Sequence, residues 1–349
     1  MKIILRSGGV IVAVGMGLSL AVLPAGSASA AGGTQVPCND ITGLIDAINE
    51  ANTSGGRIVL APHCTYTLTA PDNTDNGLPE ITGDVTISGR DTTIRRDPDS
   101  TESFRILRVL PSGTLTLKSL TVSGGSLDSD TGGGIAVREG TLNLNHTVIK
   151  GNRADTGGGL SNFAGQLNLD RSNVVRNTAA RFGGGILNDG NGTLTMKRGS
   201  LLKNEAAGDN GGGLENILGT ASLEYASVKG NTSALLGGGI RNTNGSTLLL
   251  TSTTVRENTA ESGGGLSNNI GPATLVRSLV TRNTASSTGG GILNEGGGEV
   301  TLTDTRVIRN TPDNCAPEGS VPGCTNPTKR NTPSTVRQSP PSDDIKVRE

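Results

Sequence analysis

A glycine triplet that recurs at nearly constant spacing is the feature that most constrains this chain of 349 residues. The triplet begins at seven positions, 25 to 28 residues apart: Gly132, Gly157, Gly183, Gly211, Gly237, Gly263 and Gly289. A phosphate-binding loop would need a following helix and usually a lysine at fixed spacing, and it would not occur seven times. A fixed period in this range is typical of a solenoid built from stacked repeats.

Each period contains three short apolar segments. The first is Gly-Gly-Gly followed by Ile or Leu, any residue and Asn; the second is an alternating run such as 192–196; the third has a branched apolar residue three positions before an Asn, as in Val174 and Asn177. Alternation with a period of two buries one face of each segment. The sequence therefore predicts an all-β, right-handed parallel β-helix of about ten coils, with three short strands per coil.

Two columns of asparagine follow the same period. One column follows the triplets and consists of Asn162, Asn188, Asn216, Asn242, Asn268 and Asn294. The other closes the third strand and consists of Asn152, Asn177, Asn204, Asn231, Asn258, Asn283 and Asn310. Buried amides must be hydrogen-bonded, and identical amides stacked at strand spacing can bond to one another. We therefore predict two structural asparagine ladders.

The chain divides into four segments. Residues 1–30 carry a basic head, an apolar core and an Ala-x-Ala cleavage site, which are typical of a secretory signal peptide. Residues 31–54 are predicted to form a linker and an N-terminal capping helix, because the end coil of a solenoid would otherwise expose its core. Residues 55–324 hold the β-helix, and the Pro/Ser/Thr-rich, charged residues 325–349 are predicted to be a disordered tail.

The cysteines and the charge balance indicate the compartment and the partners. Four cysteines in an exported chain predict two disulfides, and of the three pairings the spacing favours Cys38–Cys64 and Cys315–Cys324. Charge is nearly balanced, with 30 Lys and Arg against 31 Asp and Glu. The sequence has no basic stripe of the kind that nucleic-acid binding needs. No second apolar stretch is long enough to span a bilayer. We expect a secreted protein with no nucleic-acid partner and no membrane span after signal cleavage.

The repeat pattern resembles that of a known superfamily. The segments GGG-[Ile/Leu]-x-Asn, G-T-L-T-L and V-x-x-N are similar to right-handed parallel β-helix repeats of the pectin lyase-like superfamily. Their glycine–asparagine rhythm is most similar to repeats of polymorphic outer-membrane proteins and secreted adhesin-like proteins. The resemblance covers about 55–325. Because the superfamily contains polysaccharide lyases and epimerases as well as noncatalytic adhesins, the resemblance implies a fold and not one function.

One column of residues, two positions before each triplet, could carry chemistry. Asp130 and Asp155 fall on adjacent rungs, about 5 Å apart if they are in register, and Asp128 lies in the same turn as Asp130. Three carboxylates this close could bind Ca²⁺. By the resemblance to pectate lyases, Arg181 on the next rung could then meet a uronate or act as the base. The other interpretation is solvated turn charge, with Arg181 pairing to Asp155 for little energy.

The outward residues of the first strand offer no convergent acids, and Glu215 and Arg241 on neighbouring rungs are predicted to form an exposed ion pair. The sequence thus favours a secreted, noncatalytic β-helix with an adhesin-like binding or structural role. Its expected partner is an extracellular polysaccharide or a cell-surface component. The alternative is a Ca²⁺-dependent polysaccharide lyase that uses Asp128, Asp130, Asp155 and Arg181. The favoured interpretation needs no cofactor, and Ca²⁺ is required only by this alternative.

Overall fold

The computed structural model describes residues 32–327, so the predicted signal peptide and all but the start of the predicted tail lie outside the described residues. Within this range the chain forms a parallel β-solenoid of about ten turns, preceded by one α-helix, Ile41–Ser54. The predicted fold class is confirmed. No helix of residues 32–327 is long and apolar enough to cross a membrane.

Three parallel sheets run along the solenoid. Sheet 1, which contains the strands after the glycine triplets, consists of Leu107–Val109, Ile135–Arg138, Leu160–Phe163, Ile186–Asp189, Leu214–Ile217, Ile240–Thr243, Leu266–Asn269, Ile292–Glu295 and Cys315–Ala316. Sheet 2 consists of Thr34–Val36, Gly56–Leu60, Thr65–Leu68, Asp84–Arg96, Thr114–Ser123, Thr141–Asn145, Val148–Lys150, Gln166–Asp170, Asn173–Val175, Thr193–Lys197, Ser200–Leu202, Thr220–Glu224, Ser227–Lys229, Thr247–Thr251, Thr254–Arg256, Pro272–Val276, Leu279–Thr281, Glu299–Thr303 and Arg306–Ile308. Sheet 3 consists of Arg153–Ala154, Thr178–Ala179, Glu205–Ala206, Thr232–Ser233, Thr259–Ser262 and Thr284–Thr288.

A regular coil contains the three predicted strands and a fourth, shorter one. The two sheet 2 strands of a coil are separated by a bend with a residue in the left-handed region, such as Arg198 at φ 53° between Thr193–Lys197 and Ser200–Leu202. The fourth strand of that coil, Glu205–Ala206, has two residues, which is too short for alternation to predict.

The interior is filled by columns of aliphatic side chains at strand spacing. Sheet 1 contributes the first residue of each strand, and the following members are fully buried: Leu160, Ile186, Leu214, Ile240, Leu266 and Ile292. Sheet 2 contributes buried members such as Met196, Leu223 and Leu250. Because each buried side chain of this size stabilises the fold by about 1.5–3 kcal/mol, the stacked columns hold the coils in register.

Both ends of the core are covered. The side chain of Asp40 caps the helix by accepting a hydrogen bond from the Gly43 N–H at 2.9 Å, and the helix buries Leu44 and Ile48 against the first coil. The favoured disulfides are both present. Cys38–Cys64 ties the helix to the first coil, and Cys315–Cys324 ties the last sheet 1 strand to the segment that follows it. The two disulfides therefore fix the segments that cover the ends of the solenoid, where the hydrophobic core would otherwise be exposed to water.

The two asparagine columns form hydrogen-bonded ladders. In the sheet 1 ladder, each Nδ2 donates to the Oδ1 of the next coil over 2.7–3.0 Å, from Asn162 to Asn294. In the second ladder, each Oδ1 accepts both the side-chain Nδ2 and the backbone N–H of the preceding asparagine, as Asn231 does from Asn204 at 3.0 and 2.9 Å. This ladder continues to Asn314, which the repeat pattern did not include.

Asn231→Ala is expected to lower the free energy of unfolding by about 3 kcal/mol, because it leaves the buried Asn204 N–H without an acceptor. It also removes the bond that Asn231 Nδ2 donates to the Leu201 carbonyl at 3.0 Å. Chemical denaturation measures the loss. The control is Asn168→Ala, a half-buried asparagine on the outer face of sheet 2, which should lose less than about 1 kcal/mol. Equal losses in both variants would contradict a special role for the ladder.

Candidate functional site

A groove runs across the outer face of sheet 1. Its cavity volume is about 310 Å³, and its floor is formed by the outward residues of three successive strands, Ala136, Ser161 and Leu187. Neighbouring strands lie about 4.8 Å apart, so the groove crosses the rungs along the solenoid axis. An elongated ligand would therefore contact several coils at once.

Two arginines and one aromatic ring line the groove. The Arg138 side chain is 59% exposed, and its Nε lies 3.8 Å from the Glu139 Oε1. The Arg108 side chain is 27% exposed, and its Nη1 lies 3.6 Å from the Glu80 Oε1. These separations leave the guanidinium groups with donors for a ligand, because a hydrogen bond needs about 3 Å. Phe163 is 47% exposed, and its ring packs over Gly190, where a Cβ would come within 2.7 Å of it.

One wall of the groove contains a buried arginine that the repeat pattern did not single out. Arg105 is 1% exposed and forms an ion pair with Asp130. It also donates to the Asn76 Oδ1 at 3.0 Å and to the Thr131 carbonyl at 3.2 Å. With its donors engaged on three sides, Arg105 holds the wall in place, and Asp130 serves as its counter-ion.

The groove closes beyond Leu187: its lining residues do not extend to the next strand, whose outward residue Glu215 is fully buried. Gly211, at φ 67°, covers Glu215: a Cβ on this glycine would lie 2.7 Å from the Glu215 Cβ and 2.5 Å from its Oε2. Only glycine combines this φ with so close an approach. In the strand register, Glu215 lies beside Leu187 on the preceding strand and beside Arg241 on the following strand. The Glu215 side chain is consequently 0% exposed.

The two side chains do lie together, but the prediction that the pair is exposed is wrong, because the Gly211 turn covers Glu215. The Arg241 side chain is 17% exposed, and its Nη1 lies 3.6 Å from the Glu215 Oε1. In the described part of the chain, neither Glu215 oxygen nor the buried Arg241 Nε has a hydrogen-bond partner.

The environment of Glu215 favours its neutral form. Burial raises the pKa of this carboxyl from 4.5 to about 8, against the opposing effect of Arg241. The negative charges of Asp209 and Asp189 raise the pKa further. Glu215 is therefore a carboxylic acid that holds its proton at neutral pH, directly beyond the closed end of the groove.

The candidate calcium ligands do not form one cluster. Asp130 and Asp155 are in register, since the Asp155 N–H donates to the Asp130 carbonyl at 3.0 Å, but Asp130 pairs with Arg105. Asp128 is exposed, with the Ser103 hydroxyl 3.4 Å from its Oδ2. Across residues 32–327 there is no group of three or more His, Cys, Asp or Glu side chains that could hold a metal ion.

Arg181 lies on the rung beyond Asp155 and pairs with it. Its Nε donates to both Asp155 carboxylate oxygens, at 3.0 and 3.1 Å, and its guanidinium lies 5.5 Å from the centre of the Phe182 ring. The hydrogen bonds from Arg181 lower the pKa of Asp155, and those same bonds raise the pKa of Arg181. An arginine held in its charged form in this way is poorly suited to act as a base.

No family model matches the chain, and no curated protein matches it. Among solved structures it is similar to the Azotobacter vinelandii Mannuronan C-5 epimerase AlgE6 A-module, at 14% identity over 76% of this chain and 91% of that chain, with a TM-score of 0.29. At this level the similarity transfers no residue role and no activity. The three parallel sheets place the chain in the class of parallel β-solenoid proteins.

Proposed function

We propose that this chain is a secreted, noncatalytic β-helix protein that binds anionic polysaccharide in the groove of sheet 1. The observation that carries the proposal is the open groove with Arg138, Arg108 and Phe163 on its lining. Guanidinium groups recognise carboxylates through paired hydrogen bonds, and an aromatic face provides an apolar platform for a sugar ring. This combination suits a chain of uronate residues.

The shape of the site supports a polymer as the ligand. The groove is open to solvent and crosses three rungs, which spans about 10 Å from the first to the third. Binding costs less conformational entropy when the protein surface is rigid and preformed, because only the polysaccharide then has to be ordered. The stacked ladders and core columns under the groove provide that rigidity.

Secretion and membership of the pectin lyase-like superfamily are parts of the same proposal. Two disulfides are typical of proteins that fold outside the reducing cytosol, and they accord with the signal peptide predicted at 1–30. The parallel coils accord with membership of the pectin lyase-like superfamily and with adhesin-like repeats. A noncatalytic role is supported by the arginine pairing of Asp130 and Asp155, which occupies the carboxylates that the lyase alternative requires.

Arg138→Ala and Phe163→Ala are each expected to weaken binding of pectate about tenfold, because each removes one direct contact with the sugar chain. Titration calorimetry at low ionic strength measures the dissociation constants. The matched control is Arg277→Ala, an exposed arginine in a sheet 2 bend, which should bind as the wild type does.

Fully methyl-esterified pectin provides a second control, because it has the same backbone without the charge. We expect it to bind much more weakly than pectate. Equal binding of the two polymers, or equal loss of binding in all three variants, would contradict recognition of carboxylates by this groove. Failure of the wild type to bind pectate, alginate or glycosaminoglycans would contradict the proposed function.

A further inference from the structure

The closed end of the groove contains two buried polar groups with unmet hydrogen-bonding capacity. Arg241 Nε is buried with no acceptor, and both oxygens of Glu215 are buried with no donor, among the residues that the structure describes. Most buried polar groups in folded proteins have partners, so a pair of this kind indicates a partner yet to bind. The Arg241 Nη1 is 3.6 Å from Glu215, which is a loose contact and not a hydrogen bond.

The protonation of Glu215 decides what that partner is. With Glu215 neutral, its O–H and the Arg241 guanidinium are both donors, and the local charge is that of the guanidinium alone. The neutral carboxyl keeps one carbonyl oxygen as an acceptor but carries no charge, so the uncompensated guanidinium favours an anion. With Glu215 ionised, the carboxylate neutralises Arg241 and offers the acceptor itself. The other charged groups that act on Glu215 are Asp209, in the turn before its strand, and Asp189, on the preceding strand.

Arg241 is placed to reach a ligand in the groove. It lies on the second rung beyond Leu187, about 10 Å along the solenoid axis, and unlike Glu215 its side chain is partly exposed. The intervening rung is Glu215 under the Gly211 turn. A polymer leaving the groove along the axis therefore passes the Arg241 guanidinium next.

We propose that Arg241 is an additional carboxylate-binding residue, beyond the closed end of the groove, and that Glu215 controls its charge by binding or releasing a proton. The ligand class is a uronate-bearing polysaccharide, and the inference rests on the proposed function of the groove. Binding is tightest while Glu215 holds its proton. Ionisation of Glu215 cancels the charge that attracts the ligand.

The test is the dissociation constant of an oligogalacturonate, measured by titration calorimetry from pH 6.5 to 9 at constant ionic strength. For the wild type we expect about a tenfold loss of affinity across this range, since a charge-assisted contact is lost. Glu215→Gln should keep the neutral-pH affinity to pH 9. Arg241→Gln should bind about tenfold more weakly at pH 6.5 and show no pH dependence.

Two further measurements separate the outcomes. The dissociation constant of galacturonate monomer should show the same pH trend if Arg241 binds one carboxylate. Circular dichroism at each pH shows that every variant is folded. Binding that is independent of pH but sensitive to Arg138→Ala would overturn this inference and leave the proposed function intact. Wild-type affinity in Arg241→Gln would also overturn it. Absence of binding by the wild type at every pH would overturn both.

Discussion

Gly212→Ala is expected to lower the free energy of unfolding by about 4 kcal/mol. The added Cβ would lie well inside van der Waals contact of two backbone carbonyls, that of Gly238 in the next coil and that of Thr232 in the fourth strand of the same coil. Neither can move without breaking the ladder of hydrogen bonds between coils, in which the Gly212 N–H donates to the Gly237 carbonyl at 3.1 Å. Overpacking against a rigid backbone is among the costliest substitutions.

Gly151→Ala separates this steric effect from loss of glycine flexibility. Gly151 has a φ of 60° and open space around its Cα, so alanine there costs about 1–2 kcal/mol of backbone strain and no collision. Urea denaturation of the two variants gives the comparison. If Gly212→Ala were no less stable than Gly151→Ala, close stacking of the triplets would not be the reason for glycine at the middle position.

The sequence alone predicts the solenoid because its signal is redundant. The apolar columns, the asparagine columns and the triplets share one period, and each has one physical solution, in which identical residues stack in adjacent coils. The middle glycines of the triplets show this repetition. Gly158, Gly184 and Gly238 each lie against a carbonyl of the following coil, as Gly212 does. A feature that repeats in every coil can be inferred without coordinates.

The candidate site could not be predicted in the same way, because it depends on single residues. Alternation assigns Glu215 to the outer face and hence to solvent, and it carries no information about the turn that covers it. A signal was present in the column itself: its other members include Ala136, Leu187 and Leu293, which are buried and not charged. Apolar residues in an outward column indicate a covered face, and a glutamate among them is then unusual.

Arg105 was missed for a different reason. It lies in an early coil that has no glycine triplet, so no column of equivalent residues defines its position. Its partner Asp130 was identified from its place in the turn, but the pairing spans 25 residues and depends on the course of the irregular segment between them. Ion pairs between irregular coils require coordinates, whereas Asp155 and Arg181, in regular coils, could be paired from spacing alone.

The stability of the wild type relative to Glu215→Gln is expected to fall as pH rises from about 4.5 to 8. Below pH 4.5, the usual pKa of the group, both folded and unfolded chains hold the Glu215 proton, so its contribution is fully present. Above it the unfolded chain releases the proton, whereas the folded chain keeps it until pH approaches 8. The difference between 4.5 and 8 corresponds to on the order of 5 kcal/mol of stability lost.

Glutamine cannot ionise, so the difference in unfolding free energy between Glu215→Gln and the wild type isolates this one group from all other carboxyls. We expect that difference to favour the variant increasingly with pH and to become constant above about pH 8. Glu295→Gln, which changes an exposed glutamate at the end of another sheet 1 strand, is the matched control for the chemical change itself. Urea denaturation at intervals from pH 4 to 9 measures both curves. A flat curve for Glu215→Gln would mean that Glu215 ionises as an exposed group does, and burial under the Gly211 turn would then not control its proton.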